Sequence, residues 1–150
     1  MPKRSAGLLA YRKKDALEVF LVHPGGPLWA NKDAGAWSIP KGEYGPDEEP
    51  LTAARREFVE ETGFTVEGEF IDLGEIRQAG GKLVHAWAIA ADVDSSQIKS
   101  NTFVFQGREF PEIDRADWFS LERAREAINK GQLPLLERLE ASIVLAEKGQ

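Results

Sequence analysis

Apolar residues along the chain come in short runs whose spacing changes from strand-like to helix-like and back. Leu8–Ala10 and Val19–Val22 are two such runs, separated by the polar Arg12–Asp15, and predict a strand, a turn and a second strand. Pro24-Gly25-Gly26-Pro27 and the stretch from Trp29 to Ala36 are rich in turn formers and predict an irregular loop. Trp37–Ile39 predicts a short strand stopped by Pro40. Leu51 to Thr62 is the clearest helix. Asp47, Glu48 and Glu49 offer a cap and negative charge at its start, Pro50 suits the first turn, and Gly63 suits a left-handed terminus. Phe64–Ile71 alternates loosely as a strand. Leu83–Ile89 alternates more strictly, with Leu83, His85, Trp87 and Ile89 on one face. Asn101–Phe105 and Trp118-Phe119 are further strand candidates. Leu121–Asn129 and Pro134–Glu147 predict two closing helices, the first capped by Ser120. Strands interspersed with a few helices predict an α/β fold: a mixed sheet covered by helices on both faces, in one domain spanning residues 1–150.

Composition narrows the function classes. Hydrophobic residues make up 42% of the 150, enough for a packed interior. There is no cysteine, which removes disulfides, thiolate metal sites and a thiol nucleophile. The apolar stretch near the N-terminus is too short for a signal sequence, and no run approaches the ~20 apolar residues of a membrane helix. A soluble cytoplasmic protein is therefore expected. The formal net charge of −6 argues against a stable nucleic-acid partner. An acidic chain that acts on an acidic small molecule needs local cations at its site.

The stretch from Gly42 to Phe64 carries the chemistry. At 100° per residue with Glu57 at zero, Glu61 falls near 40° and Glu60 near 300°, so the three carboxylates share one arc, beside the apolar face of Leu51, Ala54 and Phe58. Acids at this spacing repel one another, and they lie in the half of the helix where the dipole disfavours negative charge. No lysine occurs between Glu43 and Lys82. A solvated acidic face is the simpler alternative, but divalent cations would relieve a repulsion that a plain surface leaves standing. Hard oxygen donors suit Mg²⁺ or Mn²⁺, with Ca²⁺ possible.

This stretch resembles the Nudix box: Gly, five residues, Glu, seven residues, Arg-Glu, an apolar residue, any residue, Glu-Glu, any residue, Gly and an apolar residue. Gly42, Glu48, Arg56, Glu57, Glu60, Glu61 and Gly63 fill every fixed position. At roughly 6% abundance per residue type, seven such matches arise by chance with odds on the order of 10⁻⁷. Phe58 and Phe64 replace the more usual aliphatic residues, a matter of packing rather than chemistry.

The resemblance implies a Nudix fold and a hydrolase that cuts a phosphoanhydride bond with Mg²⁺ or Mn²⁺. It implies that Glu57, Glu60 and Glu61 bind metal, with the Lys41 carbonyl as a further ligand. Arg56 would orient the box glutamates, Glu48 would brace the loop or bind metal through water, and Gly42 and Gly63 would allow conformations or approaches that a side chain blocks. Family members draw a fourth acid from a later loop before a Trp-containing strand. Glu112, six residues before Trp118, holds that place as metal ligand or general base; Glu109 is the alternative, and Asp114 more simply ends a turn. Water would attack phosphorus, with metal polarising the phosphoryl oxygens and a glutamate (Glu57, Glu112 or Glu109) taking its proton.

Substrate clues are fewer. Trp37-Ser38-Ile39-Pro40-Lys41-Gly42 resembles Nudix members that cleave diadenosine tetraphosphate, diphosphoinositols or the 5′ triphosphate of RNA. Lys41, and Arg77 and Lys82 around a predicted hairpin at Gly80-Gly81, are candidate phosphate contacts. Trp29 and Asn31 lie in a loop long enough to cover a substrate. Trp37 reads as core, and His23 and His85 as packed or hydrogen-bonded strand residues. The connection after Phe105 is short, so little substrate is expected to be held from that side. The leading expectation is hydrolysis of a dinucleoside polyphosphate, simplest as diadenosine tetraphosphate. The alternatives are a house-cleaning nucleoside triphosphate pyrophosphatase and a non-catalytic sensor of a nucleotide derivative.

Overall fold

The computed structural model describes residues 3–149. Among the described residues, eight strands and three α-helices follow one another: β1 (Arg4–Lys13), β2 (Leu17–Pro24), β3 (Lys41–Glu43), α1 (Pro50–Thr62), β4 (Ile71–Arg77), β5 (Leu83–Ala90), β6 (Thr102–Phe105), β7 (Arg108–Pro111), β8 (Ile113–Ser120), α2 (Leu121–Ala127) and α3 (Leu133–Lys148). The main sheet has the order β4-β5-β1-β2-β8. It is mixed, because β1 and β5 run parallel while its other pairs are antiparallel. β3 shares an edge of β1 with β2: Ser5–Gly7 pair with β3, and Tyr11–Lys13 pair with β2. The sheet therefore splits beside β1, and the chain between β2 and β3 lines the opening.

Alternation decides what each face holds. Along β1, Ala6, Leu8 and Ala10 pack with Ala53, Ala54 and Phe58 of α1, whereas Leu9 packs on the other face with Leu135, Leu136 and Leu139 of α3. In β5, Trp87 and Ile89 face α1, and Val84, Ala86 and Ala88 face α2 and α3. Both faces are covered, as expected for an α/β sandwich. Burying a side chain such as Phe58 contributes roughly 1.5–3 kcal/mol. No helix among the described residues is long and apolar enough to cross a membrane.

Several local expectations are corrected. Phe64–Ile71 is not a strand. Phe64, Val66 and Phe70 pack on the α1 side as irregular chain, the turn at Gly68 has φ 142°, and pairing begins only at Ile71. Trp37–Ile39 makes only isolated bridges, Val22 with Ser38 and Trp37 with Ile128. The start of α1 has no side-chain cap: Glu49 holds the cap position without such a bond, and Glu48 is engaged by Arg56 instead. The second helix ends at Ala127, after which Asn129 caps a short turn that leads into α3. Ser120 does cap α2, accepting from the Arg123 N–H.

Candidate active site

α1 turns its C-terminal half toward the split in the sheet. Glu57 is buried there, and its carboxylate lies directly against Gly42 of β3; a Cβ added at Gly42 would sit 1.8 Å from Glu57 Oε1. The helix ends at Gly63, whose φ of 83° is left-handed and whose N–H bonds the Val59 carbonyl. Arg56 binds the acids together. Its Nε and Nη2 grip both oxygens of Glu48 at 2.8 and 2.9 Å, and its Nη1 donates to Glu57 at 2.7 Å and Glu60 at 3.1 Å. This fork geometry is specific to a guanidinium. The bonds to Glu48, then to Glu57 and Glu60, raise the Arg56 pKa, and Arg56 in turn holds Glu48 below the ordinary carboxylate range.

Burial and mutual repulsion work against ionisation of the acids behind this fork. Burial, followed by the Glu57 charge, pushes Glu61 up to about 8, partly offset by the Lys41 charge and backbone amide. Burial and the neighbouring Glu60 raise Glu57. Burial lowers the Lys41 ammonium, with Glu61 pulling the other way.

Glu112 joins this group from the far end of the sequence. Burial and the Glu60 charge raise its pKa, and its own charge acts on Glu61. Main-chain bonds put it there. The Asn101 N–H donates to the Glu60 carbonyl at 2.8 Å, the Glu112 N–H donates to the Asn101 carbonyl at 2.8 Å, and the Gly25 N–H donates to the Glu112 carbonyl at 2.8 Å. Glu61, Glu112, Lys41 and Lys82 line one cleft of about 770 Å³, with Trp29 also on its wall.

Other candidates lie elsewhere. Glu109 is exposed on β7 and off the cleft. Arg77, expected as a phosphate contact, does not reach the cleft: it is exposed at the end of β4, with its guanidinium folded back on the Gly81 carbonyl. Asn31 is exposed and off the cleft. Asp114 bonds His23 Nδ1 at 2.8 Å, and His23 Nε2 lies 2.6 Å from the Lys32 carbonyl, so this buried histidine is fully engaged in packing the loop. His85 bonds Asp72 and stacks on Trp87 with ring centroids 4.0 Å apart. Trp37 is core, edge-on to Phe119. Sequence reasoning missed the polar part of the cleft formed by Gln78, Asn129, Lys130 and Gln132; these come from segments without a motif, and nothing in the sequence pattern marks them.

Among the described residues no three acids or histidines form a ready-made ion cage. The donor set nevertheless fits a magnesium-type ion. Its side-chain donors are all carboxylate oxygens, Glu61 and Glu112 lie on the cleft wall, and the charge is only partly matched by Arg56 and Lys41; Mg²⁺ keeps several waters and needs few protein ligands.

Residues 1–139 match the NUDIX domain family. No curated protein matches the chain by sequence. Among solved structures, it is similar to C. elegans Ap4A hydrolase in a binary complex, at 24% identity and a TM-score of 0.70 over 93% of this chain and 98% of that one. A mutT/nudix family protein from Listeria innocua shares 16% identity at a TM-score of 0.71, over 100% of this chain and 99% of the other. The NUDIX domain of Shewanella oneidensis NrtR, complexed with ADP ribose, shares 17% identity at 0.68, over 95% and 89%. At these identities the three likenesses speak for the fold alone. The family match over most of the chain settles membership: the chain belongs to the Nudix family of nucleotide-anhydride hydrolases, enzymes that generally use a divalent metal such as Mg²⁺.

Proposed function

We propose that this protein is a Mg²⁺-dependent pyrophosphohydrolase that cleaves a phosphoanhydride bond in a dinucleoside polyphosphate such as diadenosine tetraphosphate. The observation that carries the reading is the single cleft in which Glu61 and Glu112 share a wall with Lys41 and Lys82. A polyphosphate chain needs cations along its length and oxygen donors where it is cut, and this cleft offers both. The fold likeness to C. elegans Ap4A hydrolase is compatible with that choice.

Glu57, Glu60, Glu61, Glu112 and the Lys41 carbonyl are the groups that would hold the metal. When bound, it supplies polarisation of the phosphoryl oxygen and a lowered pKa for attacking water. Arg56 orients Glu57 and Glu60 from one side, and Gly42 leaves the space that the Glu57 carboxylate occupies. Lys41 and Lys82 place the phosphates. Where Glu112 is not itself a ligand, it takes the proton of the attacking water, because it faces the cleft.

The test is turnover of a substrate panel with Mg²⁺ and product analysis. Release of ATP plus AMP from diadenosine tetraphosphate supports the reading. Release of pyrophosphate from mononucleotides alone would replace it with the house-cleaning activity. No turnover of any phosphoanhydride would refute the enzyme. Glu57→Gln should abolish turnover with the fold intact, and binding of ADP ribose without hydrolysis would favour a sensor.

A further inference from the structure

The cleft carries a second chemical feature that phosphoanhydride cleavage leaves unused. Three side-chain amides run in series along its wall, and two backbone N–H groups fix their orientation. The Ile39 N–H donates to Gln132 Oε1 at 3.1 Å, so the Gln132 amide nitrogen must point the other way. That nitrogen donates to Ser38 Oγ at 2.9 Å and to Gln78 Oε1 at 3.4 Å. At the opposite end, the Gly131 N–H donates to Asn129 Oδ1 at 2.9 Å, which fixes Asn129 as acceptor on that side. Gln78 closes the series by donating from Nε2 to Asn129 Oδ1 at 3.3 Å.

The polarity of this relay has one consequence. Gln132 is buried and its polar atoms are satisfied within the protein. Asn129 Oδ1 already accepts two bonds, while Asn129 Nδ2 has no partner among the described residues. The relay thus terminates on an N–H donor at the cleft wall, next to the exposed Lys130, another donor without acceptor capacity. Where the relay ends, Asn129 Nδ2 and the Lys130 ammonium both offer donors, so a base edge that presents acceptors there pairs better than one that presents a donor. Among purine edges, O6 and N7 of a 6-oxopurine are both acceptors, whereas adenine pairs the N7 acceptor with an N6 donor.

We propose that Asn129, oriented through Gln78 and Gln132 and assisted by Lys130, forms a base-reading subsite that favours a 6-oxopurine (guanine or hypoxanthine) over adenine at one end of the polyphosphate. This deepens the proposed function and rests on it for the identity of the substrate. A mispaired group at this half-buried wall should cost the adenine substrate roughly tenfold in kcat/KM.

The experiment compares kcat/KM for diguanosine and diadenosine tetraphosphates in wild type and in Asn129→Asp. Aspartate keeps the oxygen that accepts from Gly131, so the turn persists, but it turns the free donor into an acceptor. The subsite predicts about tenfold preference for the guanine substrate in wild type, carried in KM, and loss or reversal of that ratio in N129D whatever happens to the absolute rate. Equal use of both substrates by wild type, or an unchanged ratio in N129D, overturns it. Should neither dinucleotide be hydrolysed, the reaction assignment falls by itself. The subsite is then read by equilibrium binding of GDP against ADP, where equal affinity overturns it and tighter GDP binding that N129D abolishes supports it.

Discussion

Replacing Gly42 by alanine separates the placement of Glu57 from its chemistry. The backbone at Gly42 is not left-handed, so alanine is conformationally acceptable there. The obstacle is the Glu57 carboxylate, whose Oε1, Cδ and Oε2 would lie 1.8, 2.1 and 2.5 Å from the new Cβ. Ordinary contact begins near 3.4 Å, so the carboxylate has to retreat by about 1.6 Å. A misplacement of ~1 Å in a reacting constellation costs about 10²-fold in rate, and a loss of at least that size in kcat is expected. Stability should suffer far less. The retreat strains one charge-assisted bond to Arg56, while the bonds of Arg56 to Glu48 and Glu60 persist, so ~1–2 kcal/mol and a melting shift of a few degrees are expected. Turnover with Mg²⁺ and thermal unfolding measured on one preparation test both halves. Shortening the partner should relieve the clash, so Gly42→Ala combined with Glu57→Asp should lose less activity than the two single changes predict together. Activity of Gly42→Ala within threefold of wild type would refute the reasoning.

Two further outcomes follow from the acids. In the metal-free protein the folded pKa of Glu61 lies near 8, above its unfolded value of about 4.5, so its favourable contribution is complete below pH 4.5 and is lost as pH rises through 8; chemical denaturation across that window should show stability falling toward alkaline pH, and Mg²⁺ added at pH 7 should release protons, detected by calorimetry in buffers of different ionisation enthalpy. Arg56→Lys keeps the charge but cannot grip both oxygens of Glu48 while reaching Glu57 and Glu60, so turnover should fall about 10- to 100-fold with little change in folding; wild-type turnover in this variant would show that the fork is dispensable.

Local geometry was legible in the sequence wherever one element carried it. The carboxylate ridge needed only helical periodicity and the box spacing, and Gly42 and Gly63 needed only the backbone's demands at a close approach and a helix end. Glu112 was reachable through its offset from Trp118. What stayed hidden depends on segments meeting in space. The parallel pairing of β1 with β5 joins chain separated by some seventy residues, and no local pattern encodes it. Phe64, Val66 and Phe70 mimic strand alternation because irregular chain lying over a core also buries every second or third residue. Arg77 was misplaced because hairpin membership alone does not say which side of the turn faces the cleft. The amide relay draws Gln78, Asn129 and Gln132 from two distant turns, so three ordinary polar residues become a feature only after folding.

The link from α1 to Glu112 consists of main chain alone: Glu60 carbonyl, both backbone groups of Asn101, and the Glu112 N–H. These bonds use no side-chain atom, so ordinary substitution at 60, 101 or 112 leaves them standing, with Ser100 Oγ bracing the adjacent Ile113, and proline at 101 or 112 is the change that cuts the link. The chain between the two junctions folds back on itself as β6 and β7, paired from Thr102 with Pro111 to Phe105 with Arg108. Its tip, Gln106-Gly107, is exposed and far along the hairpin from the anchors. The protein thus has a modular port. Residues can be added or exchanged at the tip while Glu112 keeps its address, which gives evolution, or an engineer, a place to graft new loops without reopening the chemistry.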